Sequence, residues 1–304
     1  MYKNLFNQQG LSIERLRALV EVCSAGSISK AVGGDSVRQS LYSRQLKELE
    51  EYFGVELTRR KGRGLVITEK GQRLAQIARE QFQGLSDFKQ DCEHKNLHFN
   101  FGAGDSLLHW LLIPELGNIQ NEALHTVFSL HNLRSSQIIE RLNTLELDFG
   151  LVRPEKVVRP IKSKILGALH YSLFIPRKLV ASDDKNSAFL ENLPIATQAN
   201  DSAFKDALLA SAHKHNCNLN LRLHCESFPE ARQALFSGKY AAILPNIAAD
   251  DLQDNVYLKT TPVFLRALTR KVALVWNPRM IRLRMGVEPL LNSIEKKLRK
   301  RLSV

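Results

Sequence analysis

Apolar residues recur at helical spacing in three short segments between Leu11 and Phe53. Ser12 and Ser27 stand directly before the first two segments, where their hydroxyls can cap a helix. The third segment, 38–52, predicts a helix with one inward face. Its apolar side chains are three or four residues apart: Tyr42, Leu46, Leu49 and Phe53. Gly33-Gly34-Asp35 precedes this helix, and Gly54 is predicted to end it.

The opposite face of the third helix carries short or forked hydrogen-bonding side chains, the kinds that contact base edges and phosphates. They are Gln39, Ser40, Ser43, Arg44 and Lys47. A hairpin is predicted next, with strands at 57–60 and 65–67 and a basic turn between them. This arrangement is typical of a winged helix-turn-helix domain, whose hairpin contacts the flanking DNA backbone. The alternative is a small helical domain whose third helix exposes an ordinary solvated face.

Residues 69–92 predict one long helix with an apolar heptad seam, which favours pairing with a second copy of the helix. The predicted dimerisation residues are Leu74, Ala78, Gln81, Leu85 and Phe88. The alternative is a helix that packs on the core of its own domain.

From about residue 97 onward, strand and helix patterns alternate, which predicts an α/β domain with a largely parallel sheet. Ligands of such domains bind beyond the carboxyl ends of the strands, where helix N-termini present free N–H groups. The candidate ligand-binding residues there are Asp105, Ser106, His131, Asn132, Ser135, Thr197, Ser202, Phe204, Pro245 and Asn246. For each of the three serines, simple helix capping is the alternative explanation.

The net charge of +12 over 304 residues, with a pI near 9.6, favours a polyanionic partner. Basic residues concentrate at 59–63 and at 266–304, where eleven oppose two acids. The sequence lacks a long apolar run and the apolar core of a signal peptide, so we expect a cytoplasmic protein that does not bind membranes. The four scattered cysteines do not suggest a disulfide framework.

Other chemistry has weaker support in the sequence. The histidines and cysteines at His213, His215, Cys217, His224 and Cys225 fit no compact zinc spacing, so no metal is predicted. The sequence has no Gly-rich phosphate loop, nucleophile elbow or paired-carboxylate motif, so neither a resident cofactor nor an enzyme is predicted. An enzyme that acts on a small acid through His131 or His170 is an alternative, and so is a simple solute-binding protein.

The N-terminal motifs resemble, in order and spacing, the winged helix-turn-helix of LysR-type transcriptional regulators. The matching positions are 27–31, Val37, Gln39, 43–46, Leu49, Glu50, 53–55, Leu57, Arg60 and 68–71. A looser similarity to the effector domain of this family rests on 111–114, 147–152, 226–227, Gly238 and 243–245. The resemblance implies a winged domain at 1–68, a dimerisation helix at 69–92 and a two-lobed α/β domain like periplasmic binding proteins at 93–304. Lobe one is expected at 93–162 and 268–304, and lobe two at 163–267.

The resemblance also implies a sequence-specific regulator whose promoter binding is modulated by an unidentified small-molecule effector. We expect a homodimer, which the family resemblance extends to a homotetramer, on an inverted-repeat site in double-stranded DNA, with RNA polymerase as a candidate contact. The candidate DNA-binding residues are Ser27, Arg38, Gln39, Ser40, Ser43, Arg44, Lys47, Arg60, Lys61 and Arg63. Cys217 and Cys225 are candidates for a redox pair, because some family members sense oxidants through paired cysteines.

Three departures from the family pattern affect these expectations. Gly33-Gly34-Asp35 stands where the family has a helix end, and Arg38 stands where a serine caps the third helix. An alternative is therefore a cytoplasmic small-molecule binding protein with weakened or lost DNA binding. Leu133 replaces a common glycine near the expected ligand site, which predicts a partly filled pocket.

Overall fold

The computed structural model describes residues 5, 9–61, 64–93, 96–123, 125–180, 187–199, 202–284 and 286–303. Contacts divide the chain into two compact units. Unit 1 comprises 1–95 with 282–285, and unit 2 comprises 96–281 with 286–304. In the part of the chain that is described, the helices are too short or too polar to span a bilayer.

Unit 1 contains a helical domain, a hairpin and one long helix. Its elements are α1 Ile13–Ala25, α2 Ile28–Ala31, α3 Ser36–Phe53, β1 Thr58–Lys61, β2 Gly64–Ile67 and α4 Glu69–Cys92. The predicted caps of α1 and α2 are confirmed, because Ser12 Oγ accepts from Arg15 N at 3.2 Å and Ser27 Oγ accepts from Lys30 N at 3.3 Å. β1 and β2 pair antiparallel, with Thr58 opposite Ile67.

The start of α3 differs from the prediction. The helix begins at Ser36, and its N-cap is Asp35. The Asp35 carboxylate accepts from Val37 N at 2.9 Å and from Arg38 N at 3.1 Å. Gly33 and Gly34 have φ values of +63° and +84°, which glycine adopts at little cost. The expectation of a weakened segment with Arg38 at the cap position is therefore wrong: the glycines shape the turn, and a favoured capping residue follows them.

The hairpin is attached to α3 through one carboxylate. Glu50 Oε1 accepts from Leu57 N at 2.9 Å, from Thr58 N at 2.8 Å and from the Thr58 hydroxyl at 3.0 Å. Gly71, at the start of α4, lies directly against this turn, since a Cβ there would be 2.2 Å from Leu57 O. These contacts fix where the hairpin leaves the helical core.

A buried ion pair joins α4 to the four-residue segment 282–285. Arg284 donates from Nε to Asp87 Oδ2 at 2.8 Å and from Nη2 to Asp87 Oδ1 at 2.9 Å. Both side chains are at most 2% exposed. Gln83 Nε2 donates to the same carboxylate at 2.8 Å. Residues 282–285 were expected in lobe one, but their contacts place them in unit 1.

Unit 2 alternates strands and helices as predicted. Its strands are β3 Leu97–Ala103, β4 Thr126–Asn132, β5 Phe149–Val152, β6 Lys162–Pro176, β7 Ile195–Gln198, β8 Leu221–Cys225, β9 Ala241–Pro245, β10 Tyr257–Thr260 and β11 Thr269–Trp276. Its α-helices are α5 Asp105–Leu107, α6 Ile113–Glu122, α7 Ser135–Asn143, α8 Ser187–Asn192, α9 Ser202–Lys214, α10 Phe228–Phe236, α11 Val263–Arg266, α12 Pro278–Leu283 and α13 Val287–Leu302. A π-helical turn, Leu108–Leu112, joins α5 to α6. The last two residues of α12 belong to unit 1.

The strands form two parallel groups that share a central antiparallel pair. The order is β4-β3-β5-β11-β6-β9-β7-β8, with β10 paired to β6. β3 is parallel to β4 and β5, and β7 is parallel to β8 and β9. β6 and β11 run antiparallel and cross between the groups. The prediction of a largely parallel sheet therefore holds within each lobe, and the crossing strands β6 and β11 are the exception.

Candidate nucleic-acid interface and effector cleft

The outward face of α3 is polar and basic, as predicted. Its inward residues Tyr42, Leu46 and Leu49 are at most 4% exposed, because they pack on α1. The predicted DNA-binding residues of α3 are all exposed, namely Arg38, Gln39, Ser40, Ser43, Arg44 and Lys47. This face offers hydroxyl, amide and cationic groups without involving the core.

The cations on this face are only loosely paired. Arg44 Nε lies 3.8 Å from Glu48, and Lys47 Nζ lies 3.7 Å from Glu51. Exposed helix pairs of this kind contribute only about 0.3–0.5 kcal/mol. Both cations can therefore exchange these partners for phosphates or base edges at low cost.

The side chains of Arg38 and Ser27 make hydrogen bonds within unit 1. The Arg38 guanidinium lies 5.7 Å from the centre of the Tyr42 ring, and its Nη2 donates to Tyr42 OH at 3.4 Å. This hydrogen bond raises the pKa of Arg38 above its usual value. Tyr42 OH in turn donates to Glu21 of α1. Arg38 thus braces α3 against α1, while the Ser27 hydroxyl caps α2.

The predicted basic turn is only partly described. Arg63 lies outside the described residues, and for Arg60 and Lys61 only the backbone, in β1, is described. The neighbouring Arg59 is exposed and pairs with Glu56 at 3.3 Å. DNA contacts from this turn remain a prediction.

The predicted dimerisation seam on α4 divides into two parts. Ala78 is 1% exposed, so the prediction that it faces a partner is wrong. Leu74 is half-buried against the core of unit 1, where α1 and α4 pack together, and its role in dimerisation stays a prediction. The second part of the seam is exposed to solvent. An exposed apolar stripe remains, consisting of Ile77, Gln81, Leu85 and Phe88, with the three apolar members 47%, 57% and 63% exposed.

The two parallel groups of strands in unit 2 point their carboxyl ends towards one shared gap, the cleft. β5 ends at Val152, which pairs with Ala273 of β11, and Ala273 also pairs with Ile165 of β6. β9 ends at Pro245, which pairs with Tyr171 of β6. Residues 165–171 therefore form the floor between the two carboxyl edges, where ligands of such sheets bind.

The lobe-one candidates lie at this edge, but one side chain is turned away. Asp105 and Ser106 begin α5 directly after β3, and Asn132 ends β4. The Asp105 carboxylate lies 3.2 Å from His109 Nδ1. His131 Nε2 lies 3.2 Å from the Asn100 amide oxygen, three residues back from the end of β3, so its ring points away from the cleft.

Two further lobe-one expectations need correction. The alternative that Ser135 simply caps α7 is wrong, because the N-cap is Arg134, whose N–H donates to Gln137 Oε1 at 3.1 Å. Ligand binding by Ser135 stays a prediction. Leu133 does not fill the cleft, because it packs with Ile138 and Leu147 under α7.

The lobe-two candidates are mostly built into the protein core. Thr197 was predicted to lie beyond the end of a strand, but it is a fully buried residue of β7, and its hydroxyl donates to Ile243 O at 3.1 Å. Because its side chain is fully buried, Thr197 cannot contact a ligand in the cleft, and the prediction that it binds the effector is wrong. Pro245 is buried at the end of β9, and the side chain of Ser202 lies outside the described residues.

The candidate Phe204 is only 4% exposed and belongs to a buried aromatic cluster, whose other members the sequence did not predict. The Phe204 ring lies 4.8 Å from Tyr171 and 5.1 Å from Phe228. The Arg270 guanidinium lies 5.6 Å above Phe204. Tyr171 and Arg270 come from the crossing strands, whereas the sequence candidates were chosen near helix starts. A local indication of this cluster in the sequence was Phe228, which directly follows the helix-capping Ser227.

Two cavities of unit 2 are lined by residues outside 165–171. Asn246 lines a space of about 260 Å³ with Phe174, Tyr257 and Lys259, and its buried Oδ1 has no hydrogen-bond partner among the residues that the structure describes. A larger open space of about 490 Å³ lies at the amino ends of β3 and β4, next to Leu97 and Thr126. It contains none of the predicted ligand-binding residues.

The cysteine and histidine candidates have little chemical support. Within the described ranges, side chains do not form a group of three or more potential metal ligands. Burial raises the pKa of Cys217 and of Cys225 above the ordinary thiol value. Since the thiolate is the reactive form, both are poor nucleophiles at neutral pH.

Comparison with known proteins supports the two-part organisation. Residues 13–72 match the family described as bacterial regulatory helix-turn-helix protein, lysR family, and residues 93–293 match the LysR substrate binding domain. A probable nitrogen assimilation transcriptional activator of Synechococcus elongatus is 22% identical over 274 residues, which cover 87% of this chain and 88% of the relative.

Solved structures show the same fold. A full-length single-site variant of OxyR from Pseudomonas aeruginosa has a TM-score of 0.64 at 17% identity, covering 96% of both chains. Full-length CbnR complexed with its target DNA has a TM-score of 0.52 at 15% identity, covering 95% of this chain and all of that chain. Because the two matched domains together span most of the sequence, the chain belongs to the LysR family of DNA-binding transcriptional regulators that carry an effector-binding domain.

Proposed function

We propose that the outward face of α3 enters the DNA major groove and selects the promoter sites that this regulator controls. The observation that carries this proposal is the exposed face that includes Ser40, Ser43, Arg44 and Lys47, opposite a fully packed inward face. Major grooves admit an α-helix, and these side-chain types pair with base edges and phosphates. The likeness to CbnR, which was solved with its target DNA, agrees with this role.

We infer that the protein acts as a homodimer through the exposed stripe on α4. Ile77, Leu85 and Phe88 present adjacent apolar area that a second α4 would remove from water. Two α3 helices would then bind half-sites about 34 Å apart, or a multiple of that distance, in an inverted repeat. Further association to a tetramer, a contact with RNA polymerase and a cytoplasmic location are parts of the same proposal.

The proposed effector site is the cleft above residues 165–171. Asp105, Ser106 and Asn132 line its lobe-one edge. In lobe two, the buried rings of Phe204 and Phe228 pack on Tyr171, which ends the cleft floor. A small molecule bound there would contact both lobes and shift their relative placement. By linkage, a ligand that favours one arrangement changes DNA affinity by the same factor that DNA changes ligand affinity.

An electrophoretic shift assay tests the DNA-binding proposal. The probes are fragments from upstream of the protein's own gene and of its divergent neighbour. We expect a shift that weakens steeply with salt, because binding releases counterions. Arg44→Ala should lower affinity by roughly 1–3 kcal/mol if Arg44 contacts a guanine with both nitrogens.

Arg222→Ala is the matched control, since it removes the same charge from an exposed position on β8 in unit 2. Equal binding by Arg44→Ala and wild type would remove Arg44 from the reading face. A protein that shifts no fragment at any salt concentration would instead support the alternative of a small-molecule binding protein that has lost DNA binding.

A further inference from the structure

Two large apolar side chains lie on the outward face of α3. Val37 is 77% exposed and Leu41 is 40% exposed. At 100° per residue, Val37, Leu41 and Arg44 fall on the side of α3 opposite Tyr42 and Leu46. The core of unit 1 therefore does not explain either apolar side chain.

The Asp35 cap brings Val37 into the helix. Because α3 begins at Ser36, Val37 is its second residue, and its side chain is held at the amino end of the outward face. The Asp35 carboxylate binds Val37 N itself, at 2.9 Å. The cap thus places an exposed valine one turn before Leu41.

The charge around these side chains indicates what covers them. Between Ser36 and Lys47 the sequence has three cations, Arg38, Arg44 and Lys47, and no acid. An apolar protein surface would bring no counter-charge to those cations, whereas a DNA groove supplies phosphates beside them. Within the major groove, the apolar group that base edges present is the 5-methyl group of thymine.

We propose that Val37 and Leu41 are specificity residues that contact thymine methyl groups in each half-site. This inference rests on the proposed function, because it requires α3 to lie in the major groove. It adds that the half-sites contain thymine at the positions opposite the amino-terminal two turns of α3. Neither residue is among the hydrogen-bonding residues that the sequence analysis selected for base contacts.

The experiment removes single methyl groups from the DNA. A fragment that the wild-type protein shifts is remade with deoxyuridine in place of each half-site thymine, one position at a time. Burying one methyl group is worth about 0.8 kcal/mol, so we expect each contacted position to lose about fourfold in affinity. The Val37→Ala variant should bind the thymine probe more weakly and should no longer distinguish thymine from uracil at one such position.

Leu41→Ala should lose discrimination at a different position. Val263→Ala is the control, because it shortens an exposed valine in unit 2 and should keep the wild-type pattern. Since both α3 side chains are exposed, the variants should keep the wild-type circular dichroism and unfolding midpoint. This inference is wrong if the wild type binds every uracil probe as tightly as the thymine probe. It is also wrong if Val37→Ala and Leu41→Ala lose as much affinity on each uracil probe as the wild type does. In both cases the DNA-binding proposal would still stand. Failure to shift any fragment would overturn both.

Discussion

The buried pair between Asp87 and Arg284 gives the most quantitative prediction. Arg284→Met keeps side-chain length but removes the guanidinium, which leaves the Asp87 carboxylate with the Gln83 amide but without its cation. Removing one partner of a buried pair costs about 3–5 kcal/mol. At about 1.4 kcal/mol per factor of ten, local opening of α4 should become roughly 10²- to 10³-fold more frequent, or more.

Hydrogen exchange with mass spectrometry on the full-length protein measures this opening. We expect faster exchange in α4 peptides that span 83–92, because the lost ion pair joins these turns of α4 to Arg284. Exchange in α1 should change little. Arg282→Met is the matched control on the same segment, since Arg282 is exposed. It should exchange as the wild type does.

A double variant separates charge from packing. Asp87→Leu with Arg284→Met removes both charges, and apolar replacement of a buried pair is often close to neutral. We therefore expect the double variant to recover most of the protection that Arg284→Met loses. Wild-type exchange in Arg284→Met, or equal losses in the single and double variants, would refute this reasoning.

Three further predictions follow from single positions. Leu85→Asp should lower the fraction of oligomer in analytical ultracentrifugation at low micromolar concentration. Ser86→Asp, which adds the same charge beside the stripe, should not lower it. An unchanged oligomer with Leu85→Asp would exclude the stripe as the interface. Gly71→Ala should destabilise unit 1 by about 1–3 kcal/mol in urea unfolding, because its Cβ would meet Leu57 O at 2.2 Å. Gly117→Ala, in open space within α6, should instead stabilise unit 2 by up to about 1 kcal/mol. Burial raises the pKa of Cys23 to about 11, so only about one in a thousand of its thiols is ionised at pH 8. Mass spectrometry should therefore find iodoacetamide modification on the exposed Cys92 well before it appears on Cys23.

Local signals in the sequence predicted most of unit 1. Ser12, Ser27, Gly26 and Gly54 mark helix ends through side-chain caps or left-handed backbone, and these are short-range effects. The start of α3 was misplaced because Gly33-Gly34-Asp35 was interpreted only as a break in the helical pattern, whereas the preference of Asp35 for the N-cap position was the better guide.

Long-range packing explains the other differences. The heptad pattern of α4 is real, but a pattern cannot tell which part of the seam meets α1 and which part stays exposed. Thr197 sits in the four-residue strand β7, too short to show alternation, so it was mistaken for a loop residue. The buried aromatic cluster around Phe204 and the placement of 282–285 in unit 1 join residues far apart in sequence, which no local pattern predicts.

Capture of genomic fragments by the purified full-length protein tests the central claim most directly. The protein and its Arg44→Ala variant are incubated with sheared genomic DNA at about 50 mM and about 200 mM salt, and bound fragments are sequenced. We predict that the wild type enriches a small set of fragments that share an inverted repeat and that fall away as salt rises. The Arg44→Ala variant should enrich the same set much less. If the wild type enriches no fragment above the input at either salt concentration, the claim that α3 reads promoter DNA is wrong.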